Sequence, residues 1–179
     1  MDLTNINEWY RLGQAYLGTD DYGANLYIRV YARYTAQDET NLTSTVQYQA
    51  RAYFDRSWWI LDQGSNGSLS GTDATTETFS KSSRYESGET TLKTITATVN
   101  HNQDTGAASI TASATLNFPN WNWSGTASGS GNLPTIDVST IRLRVSGTWK
   151  KAIPYLRVNG SWKKCKAYLR VSGNWKKGV

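Results

Sequence analysis

The chain has 179 residues, with 19 basic and 14 acidic side chains and a formal net charge of +5. This length suits one domain of ordinary size with an appendage. No stretch of about 18 apolar residues occurs, which argues against a helical membrane span, and the opening residues lack the basic and apolar regions of a secretory signal. A single cysteine, Cys165, excludes an internal disulfide.

Two long strands are predicted early in the chain. Residues 5–17 have the pattern of a short amphipathic helix, whereas from residue 24 apolar and polar residues alternate, as in a half-buried β-strand. A turn at residues 37–39 leads into a second alternating strand. The faces expected to point inward carry Leu26, Ile28, Val30, Ala32 and Tyr34 in the first strand and Val46, Tyr48, Ala50, Ala52 and Phe54 in the second. The other face of the first strand carries Tyr27, Arg29, Tyr31 and Arg33.

The rest of the body contains further short strands. Residues 64–73 are rich in Gly and Ser, which predicts an exposed loop. Residues 91–100 are expected to pair with residues 107–118 across the turn HNQDTG, and residues 121–130 to form the last strand. The inward stripe of residues 107–118 is Ile110, Ala112, Ala114, Leu116 and Phe118.

Seven to nine short strands in meander order predict an all-β, antiparallel β-sandwich, either Ig-like or jelly-roll-like. We assign this sandwich domain to residues 1–131 and a linker to residues 132–140. Residues 141–179 form a tail in which one 13-residue unit is written three times.

Each tail unit is predicted to be a β-hairpin. Asn159-Gly160 between two strand-like runs is a strong signal for a two-residue turn, and it places Arg157 opposite Trp162. This is a close cross-strand pair in which a guanidinium is expected to stack on an indole. The equivalent pairs are Arg144 with Trp149 and Arg170 with Trp175, and Tyr155 and Tyr168 lie on the same face.

The opposite face of each hairpin is aliphatic, as with Leu156 and Val158, and must be buried somewhere. Because an isolated hairpin is marginal in water, we expect the tail to oligomerise or to dock on another surface. The Arg-Trp-Tyr face could instead clasp a sugar or an anionic polymer. A third interpretation is that the tryptophans simply pack hairpin on hairpin.

Charge separates the tail from the body. The tail holds eleven basic residues and no acidic one, so it carries +11 while residues 1–140 carry −6. This asymmetry predicts an acidic partner: an acidic protein surface, a wall polymer such as teichoic acid, or, least favoured, nucleic acid. Lysines that protect exposed strand edges explain only part of the bias.

The sequence nominates no catalytic group. His101 lies in the predicted HNQDTG turn, where a solvated side chain is expected. No catalytic triad order, metal-binding cysteine spacing or phosphate-binding loop is present. Asp20 with Asp21 is only a weak candidate for a surface calcium site, since calcium takes six to eight oxygen ligands. We therefore expect no enzymatic activity, cofactor or metal.

Other aromatic residues are candidates for binding or for subunit contacts. Trp58 and Trp59, and likewise Trp121 and Trp123, are spaced so that each pair puts at least one indole on the outer face of a strand. Subunit contacts are favoured over sugar binding, because Trp and Tyr are enriched at interfaces.

Two stretches resemble a known family. The body ends in SGTASGSGNLPTI, which resembles the end of the β-sandwich domain of minor structural proteins of siphoviruses that infect Gram-positive bacteria. The tail units, of the form LRVxGxWKK, are similar to the short repeats that close many phage tail and fibre proteins. The resemblance implies a non-enzymatic virion component on the tail, baseplate or neck, which is made in the host cytoplasm and leaves the cell in the particle.

We therefore expect a virion structural protein that contacts other virion proteins, forms homo-oligomers and touches the host cell wall or helps to assemble the particle. One alternative is a carbohydrate-binding module for cell-wall glycans, and a second is a capsid decoration or head-fibre protein.

Overall fold

A computed structural model of the chain describes residues 1–20, 23–55, 64–82, 85, 87–138, 141–152, 154–165, 168–171 and 174–177. The described residues of the body form eight strands: β1 (Tyr10–Thr19), β2 (Asn25–Asp38), β3 (Thr43–Phe54), β4 (Ser65–Gly71), β5 (Glu77–Lys81), β6 (Gly88–Asn100), β7 (Ala108–Phe118) and β8 (Trp123–Leu133). A single-turn 3-10 helix, Pro119–Trp121, precedes β8. Within these ranges no helix is long and apolar enough to cross a bilayer.

The predicted all-β, antiparallel class is confirmed. The eight strands form two four-stranded sheets, in the orders β1-β2-β3-β6 and β5-β4-β7-β8, in which all neighbours are antiparallel. Both sheets contribute to one core, and every residue of the predicted inward stripes of β2, β3 and β7 is buried. Strict alternation identifies these strands because one face of each is withdrawn from water.

Residues 5–17, whose pattern resembles a short amphipathic helix, are not helical, since β1 covers most of this stretch. The register of β1 on β2 shifts between Arg11 and Gly13 and again between Tyr16 and Gly18. Each irregularity adds a residue to the strand and interrupts its period of two. The apolar residues of β1 therefore recur at a spacing that resembles a helical period.

The exposed loop expected at residues 64–73 is also wrong. Most of it is β4, which lies between β5 and β7 and buries Leu69 and Ser65. A Cβ on Gly67 would lie 2.1 Å from the carbonyl oxygen of Thr115. The small residues that suggested a loop allow close packing within the sheet instead.

The expected hairpin of residues 91–100 with 107–118 is wrong as well. β6 pairs with β3, whereas β7 lies between β4 and β8 in the other sheet. The HNQDTG segment thus crosses from one sheet to the other, and the meander order is lost. Both strands have one apolar face, and this pattern does not specify a partner.

The two sheets come into close backbone contact along β1 and β8. A Cβ on Gly13 would lie 2.2 Å from the Ser128 carbonyl oxygen, and a Cβ on Gly129 would lie 2.1 Å from that of Leu12. Real Cβ atoms do not come so near to backbone oxygen. These two reciprocal contacts let the edge strand of one sheet pack backbone to backbone on the edge strand of the other.

The segment after β8 begins within the body. Leu133 is buried, and Ile136, which lies in the predicted linker 132–140, is 2% exposed. The Ile136 amide donates to the carbonyl oxygen of Gly106 at 2.9 Å. Residues 133–136 are thus held by the body before the tail starts.

The tail strands pair two by two: β9 (Ile141–Val145) with β10 (Thr148–Ala152), β11 (Tyr155–Val158) with β12 (Ser161–Lys164), and β13 (Tyr168–Val171) with β14 (Asn174–Lys177). Arg144 is opposite Trp149, Arg157 opposite Trp162 and Arg170 opposite Trp175. The turn residues Asn159 and Gly160 have φ values of 50° and 81°. Two positive φ values in succession define the turn that suits the right-handed twist of a hairpin.

Candidate interaction surfaces

The second tail hairpin is exposed on both of its faces. On the aromatic face Tyr155 is 54% exposed and Trp162 is 68% exposed. On the aliphatic face Leu156 is 59% exposed, and Val158 is also exposed. Apolar side chains of this size lower the free energy by about 1.5–3 kcal/mol each when they are fully buried. Burying this hairpin against a second surface would therefore lower the free energy substantially.

The other tail candidates are described through their backbone pairing alone. This applies to Arg144, Trp149, Tyr168, Arg170 and Trp175. In the second hairpin the Nε of Arg157 donates to the carbonyl oxygen of Gly160 at 3.3 Å. The stacking of the guanidinium on the indole of Trp162 stays a prediction.

Among the tryptophans of the body, Trp58 and Trp59 lie outside the described residues. Trp121 and Trp123 meet edge to face with ring centroids 4.5 Å apart, and Trp121 stacks on the buried Phe118 at 6.4 Å. Both indoles are half-buried and pack against the core. These contacts give the pair a packing role in the body.

The expectation of a solvated His101 is wrong, because its side chain is buried at 4% exposure. Its Nε2 lies 2.7 Å from the hydroxyl of Ser44, and its Nδ1 lies 2.7 Å from the carbonyl oxygen of Gly106. Ser44 is itself fully buried, so this serine-histidine pair cannot meet a substrate. The histidine instead joins β3 to the segment between β6 and β7.

Sequence reasoning missed a surface on the outer side of the sheet β1-β2-β3-β6. We call it the tyrosine–arginine face and define it by Tyr16, Tyr27, Tyr31, Tyr53, Arg29, Arg51 and Glu89. Its residues come from all four strands and meet only because of the sheet register. The alternation of Tyr27, Arg29 and Tyr31 was its one visible signal in the sequence.

Cations and aromatic rings interleave on this face. The guanidinium carbon of Arg29 lies 3.5 Å from the ring centroid of Tyr53, and that of Arg51 lies 4.2 Å from the ring centroid of Tyr31. Trp9 continues the pattern at the edge, with Arg51 at 5.2 Å from its ring. Each such contact stabilises the fold by about 0.5–2 kcal/mol, depending on how far it is desolvated.

Glu89 joins the two arginines. Its carboxylate accepts from Arg29 at 2.7 Å, from Arg51 at 2.8 Å and from the Tyr31 hydroxyl. Burial alone would raise the pKa of Glu89, but these hydrogen bonds and the charge of Arg51 outweigh it, so the pKa lies below its usual 4.5. Burial, followed by the contact with Glu89, raises the pKa of Tyr31. At neutral pH the carboxylate is thus held ionised and the phenol protonated.

This coupling predicts a pH-dependent effect of Glu89→Gln. Because the folded state lowers the pKa of Glu89, its stabilisation is complete above about pH 4.5 and is lost as the pH falls through the folded-state pKa. We expect the substitution to lower the free energy of unfolding by about 1 kcal/mol at pH 7, a value typical of partly exposed networks. The difference should shrink in urea titrations below pH 4.5.

Glu77→Gln is the matched control, since Glu77 pairs with Lys93 at 2.5 Å and its side chain is 48% exposed. A change within about 0.5 kcal/mol is expected there. A deficit for Glu89→Gln that stays constant from pH 7 to pH 3 would contradict the assignment.

Within the described part of the chain, no three His, Cys, Asp or Glu residues are grouped so that they could hold a metal ion. A scan against protein-family models and searches of curated proteins and of solved structures find no match for this chain. The candidates for function are therefore the second tail hairpin and the tyrosine–arginine face.

Proposed function

We propose that the chain is a non-enzymatic structural protein of a bacteriophage virion, exposed on the tail, baseplate or neck, whose repeated tail contacts neighbouring proteins. The observation that carries the proposal is the second hairpin, which exposes an aliphatic and an aromatic face together. This hairpin belongs to a segment with eleven basic residues and no acidic one. An acidic protein surface complements it in both charge and apolar area.

The body offers one such surface. Residues 1–140 carry a formal charge of −6, so the tail of one copy and the body of another attract each other. Homo-oligomerisation within a symmetric particle is the simplest arrangement that uses this complementarity. The contact with the host cell wall, by contrast, rests on the resemblance of the repeats to those of phage fibres.

The strand order favours the Ig-like form of the proposed β-sandwich over the jelly roll. In the Ig fold the second and fifth strands are neighbours in one sheet, and the third and sixth are neighbours in the other. If β2 counts as the first strand, β3-β6 and β4-β7 are these two pairs. β1 is then an addition to the sheet edge. The three tail hairpins would be copies of one interaction unit.

A carbohydrate-binding module remains the second candidate. The observation that favours it is the exposure of Tyr155 and Trp162 on one side of a hairpin, since flat aromatic rings stack on sugars. Binding of a neutral cell-wall glycan by a monomeric chain would favour this candidate over assembly.

Removing the three tail tryptophans tests the proposal. We expect the variant with Trp149→Ala, Trp162→Ala and Trp175→Ala to associate at least tenfold more weakly than the unchanged chain, because buried aromatic anchors dominate interface energies. Sedimentation velocity over a concentration series measures this change. Tyr16→Ala is the control, since Tyr16 is an exposed aromatic residue of the body. Unaltered association of the triple variant would overturn the proposal.

A further inference from the structure

The tyrosine–arginine face has the form of a binding surface for a polymer. Tyr16, Tyr27 and Tyr53 lie directly opposite one another on β1, β2 and β3, with ring centroids 5.7 Å and 6.1 Å apart. They form a row of rings that runs across the strands. Tyr16, at the end of this row, is 54% exposed.

A second, cationic row runs beside the first. Arg29 is directly opposite Arg51, and Gln14 is directly opposite Arg29. These residues lie two positions along each strand from the tyrosines, which puts the backbone positions of the two rows about 7 Å apart. The side chains of the rows touch, since the guanidinium carbon of Arg29 lies 3.5 Å from the Tyr53 ring centroid, so a chain that crosses the strands would meet aromatic rings and guanidinium groups together.

The arginines are already held in place. The side chains of Arg29 and Arg51 are 13% and 17% exposed. Arg29 donates its Nε–H to Gln14 at 2.7 Å, and Arg51 donates its Nε–H to Gln49 at 2.6 Å. With the bond to Glu89, each uses two of its five N–H donors in these contacts. A ligand would therefore not have to order these side chains, which favours binding.

The positive charge of the tyrosine–arginine face favours an anionic ligand. Four of the eight basic residues in 1–140 lie on the outer side of this sheet: Arg11, Arg29, Arg33 and Arg51. Two acidic residues lie with them, Glu89 between the arginines and Asp55 beside the tyrosine row, where its carboxylate accepts from Asn25 at 2.7 Å, so the four arginines keep a formal excess of two positive charges. The body as a whole is acidic, so this face is a positive patch on a negative surface.

We propose that the tyrosine–arginine face binds an acidic polysaccharide, with sugar rings against the tyrosine row and carboxylate or phosphate groups at Arg29 and Arg51. The local excess of positive charge is small, and the surrounding body would repel a polymer with a charge on every unit at nucleic-acid density. A sparsely charged glycan satisfies both conditions. The proposal concerns the body alone, so it is independent of the assembly role of the tail.

The test uses the full chain, labelled with ¹⁵N, and four probes: a hyaluronan oligosaccharide, which carries a carboxylate on every second sugar, an oligomer of disaccharide-phosphate units, neutral maltoheptaose and single-stranded oligo-dT. Amide shift changes are mapped at 0.3 M salt to suppress weak binding by the basic tail. We expect an anionic probe to shift residues of β1, β2 and β3, and the two anionic probes together distinguish carboxylate from phosphate recognition. We expect the neutral probe to cause no shifts there.

Variants then measure the contribution of each row. Arg29→Gln and Tyr16→Ala are each expected to weaken binding of the preferred anionic probe at least tenfold. Lys81→Gln removes the same charge from the other sheet and should leave the affinity within twofold. The mapping on the unchanged chain keeps the test decisive even if Arg29→Gln unfolds.

Shifts confined to residues 141–177, equal binding of maltoheptaose, or tighter binding of oligo-dT at this face would each overturn the proposal. None of these results bears on whether the tail drives association, which sedimentation measures separately.

Discussion

Replacing Gly129 with alanine is expected to lower the free energy of unfolding by about 3 kcal/mol, the upper part of the range for overpacking substitutions. The added Cβ would lie 2.1 Å from the Leu12 carbonyl oxygen and 2.6 Å from its carbonyl carbon. Backbone atoms cannot turn aside as a flexible side chain can, so β1 must move away from β8. Urea unfolding followed by tryptophan fluorescence measures the loss, and Gly13→Ala should produce a similar one.

Gly64→Ala is the control for this effect. A Cβ at Gly64 would meet no atom nearer than 3.7 Å, and no positive φ angle requires glycine there. The free energy of unfolding of this variant should lie within about 1 kcal/mol of that of the unchanged chain. The alanine also reduces the conformational freedom of the unfolded state, which favours folding. Equal stability of Gly129→Ala and Gly64→Ala would show that β1 and β8 do not approach as described.

The second large effect is expected for His101→Ala, which should lower the free energy of unfolding by about 2 kcal/mol. The substitution removes two hydrogen bonds of 2.7 Å and leaves the buried hydroxyl of Ser44 without its histidine partner. The carbonyl oxygen of Gly106 keeps its bond from Ile136, so only part of the network is lost. Denaturant unfolding at pH 7 gives the value.

A double-mutant cycle separates the histidine–serine contact from simple loss of packing. Ser44→Ala alone should lower the free energy of unfolding by about 1 kcal/mol. The loss in the double variant should be smaller than the sum of the two single losses by about 1 kcal/mol. Strictly additive losses would contradict a direct bond between the two side chains.

The sequence predicted those strands whose alternation is uninterrupted. β2, β3 and β7 each bury one face against the core, so a period of two was sufficient to identify them. β1 was missed because its two register shifts disturb that period. β4 was missed because its glycine and serine residues are common in loops. In this strand they are small enough for the close packing of a central position in the sheet.

The pairing partners of β6 and β7 could not be predicted without the order of the strands in the two sheets. The same is true of the tyrosine–arginine face. Counted from the turn, Asp38 pairs with Thr43, and the same register would place Tyr27 opposite the buried Phe54. A shift between Tyr34 and Ala36 moves the pairing by one residue and brings Tyr27 opposite Tyr53. A one-residue change transfers every side chain to the other face, so the surface could not be assembled from the sequence pattern alone.

The tail was more predictable, because its unit is short and repeated. The Asn159-Gly160 turn fixes the register of Arg157 and Trp162, and the observed pairing follows it. The repeat does not predict which surface would cover the exposed hairpin faces, because that surface would belong to a second molecule.

We propose that the basic tail joins this chain to another protein surface. Multi-angle light scattering of the full chain and of residues 1–138, each checked for folded β-structure by circular dichroism, tests it most directly. We expect a mass of two or more chains for the full sequence and of one chain for the shortened one. A single-chain mass for both, over the same concentration range, would contradict it.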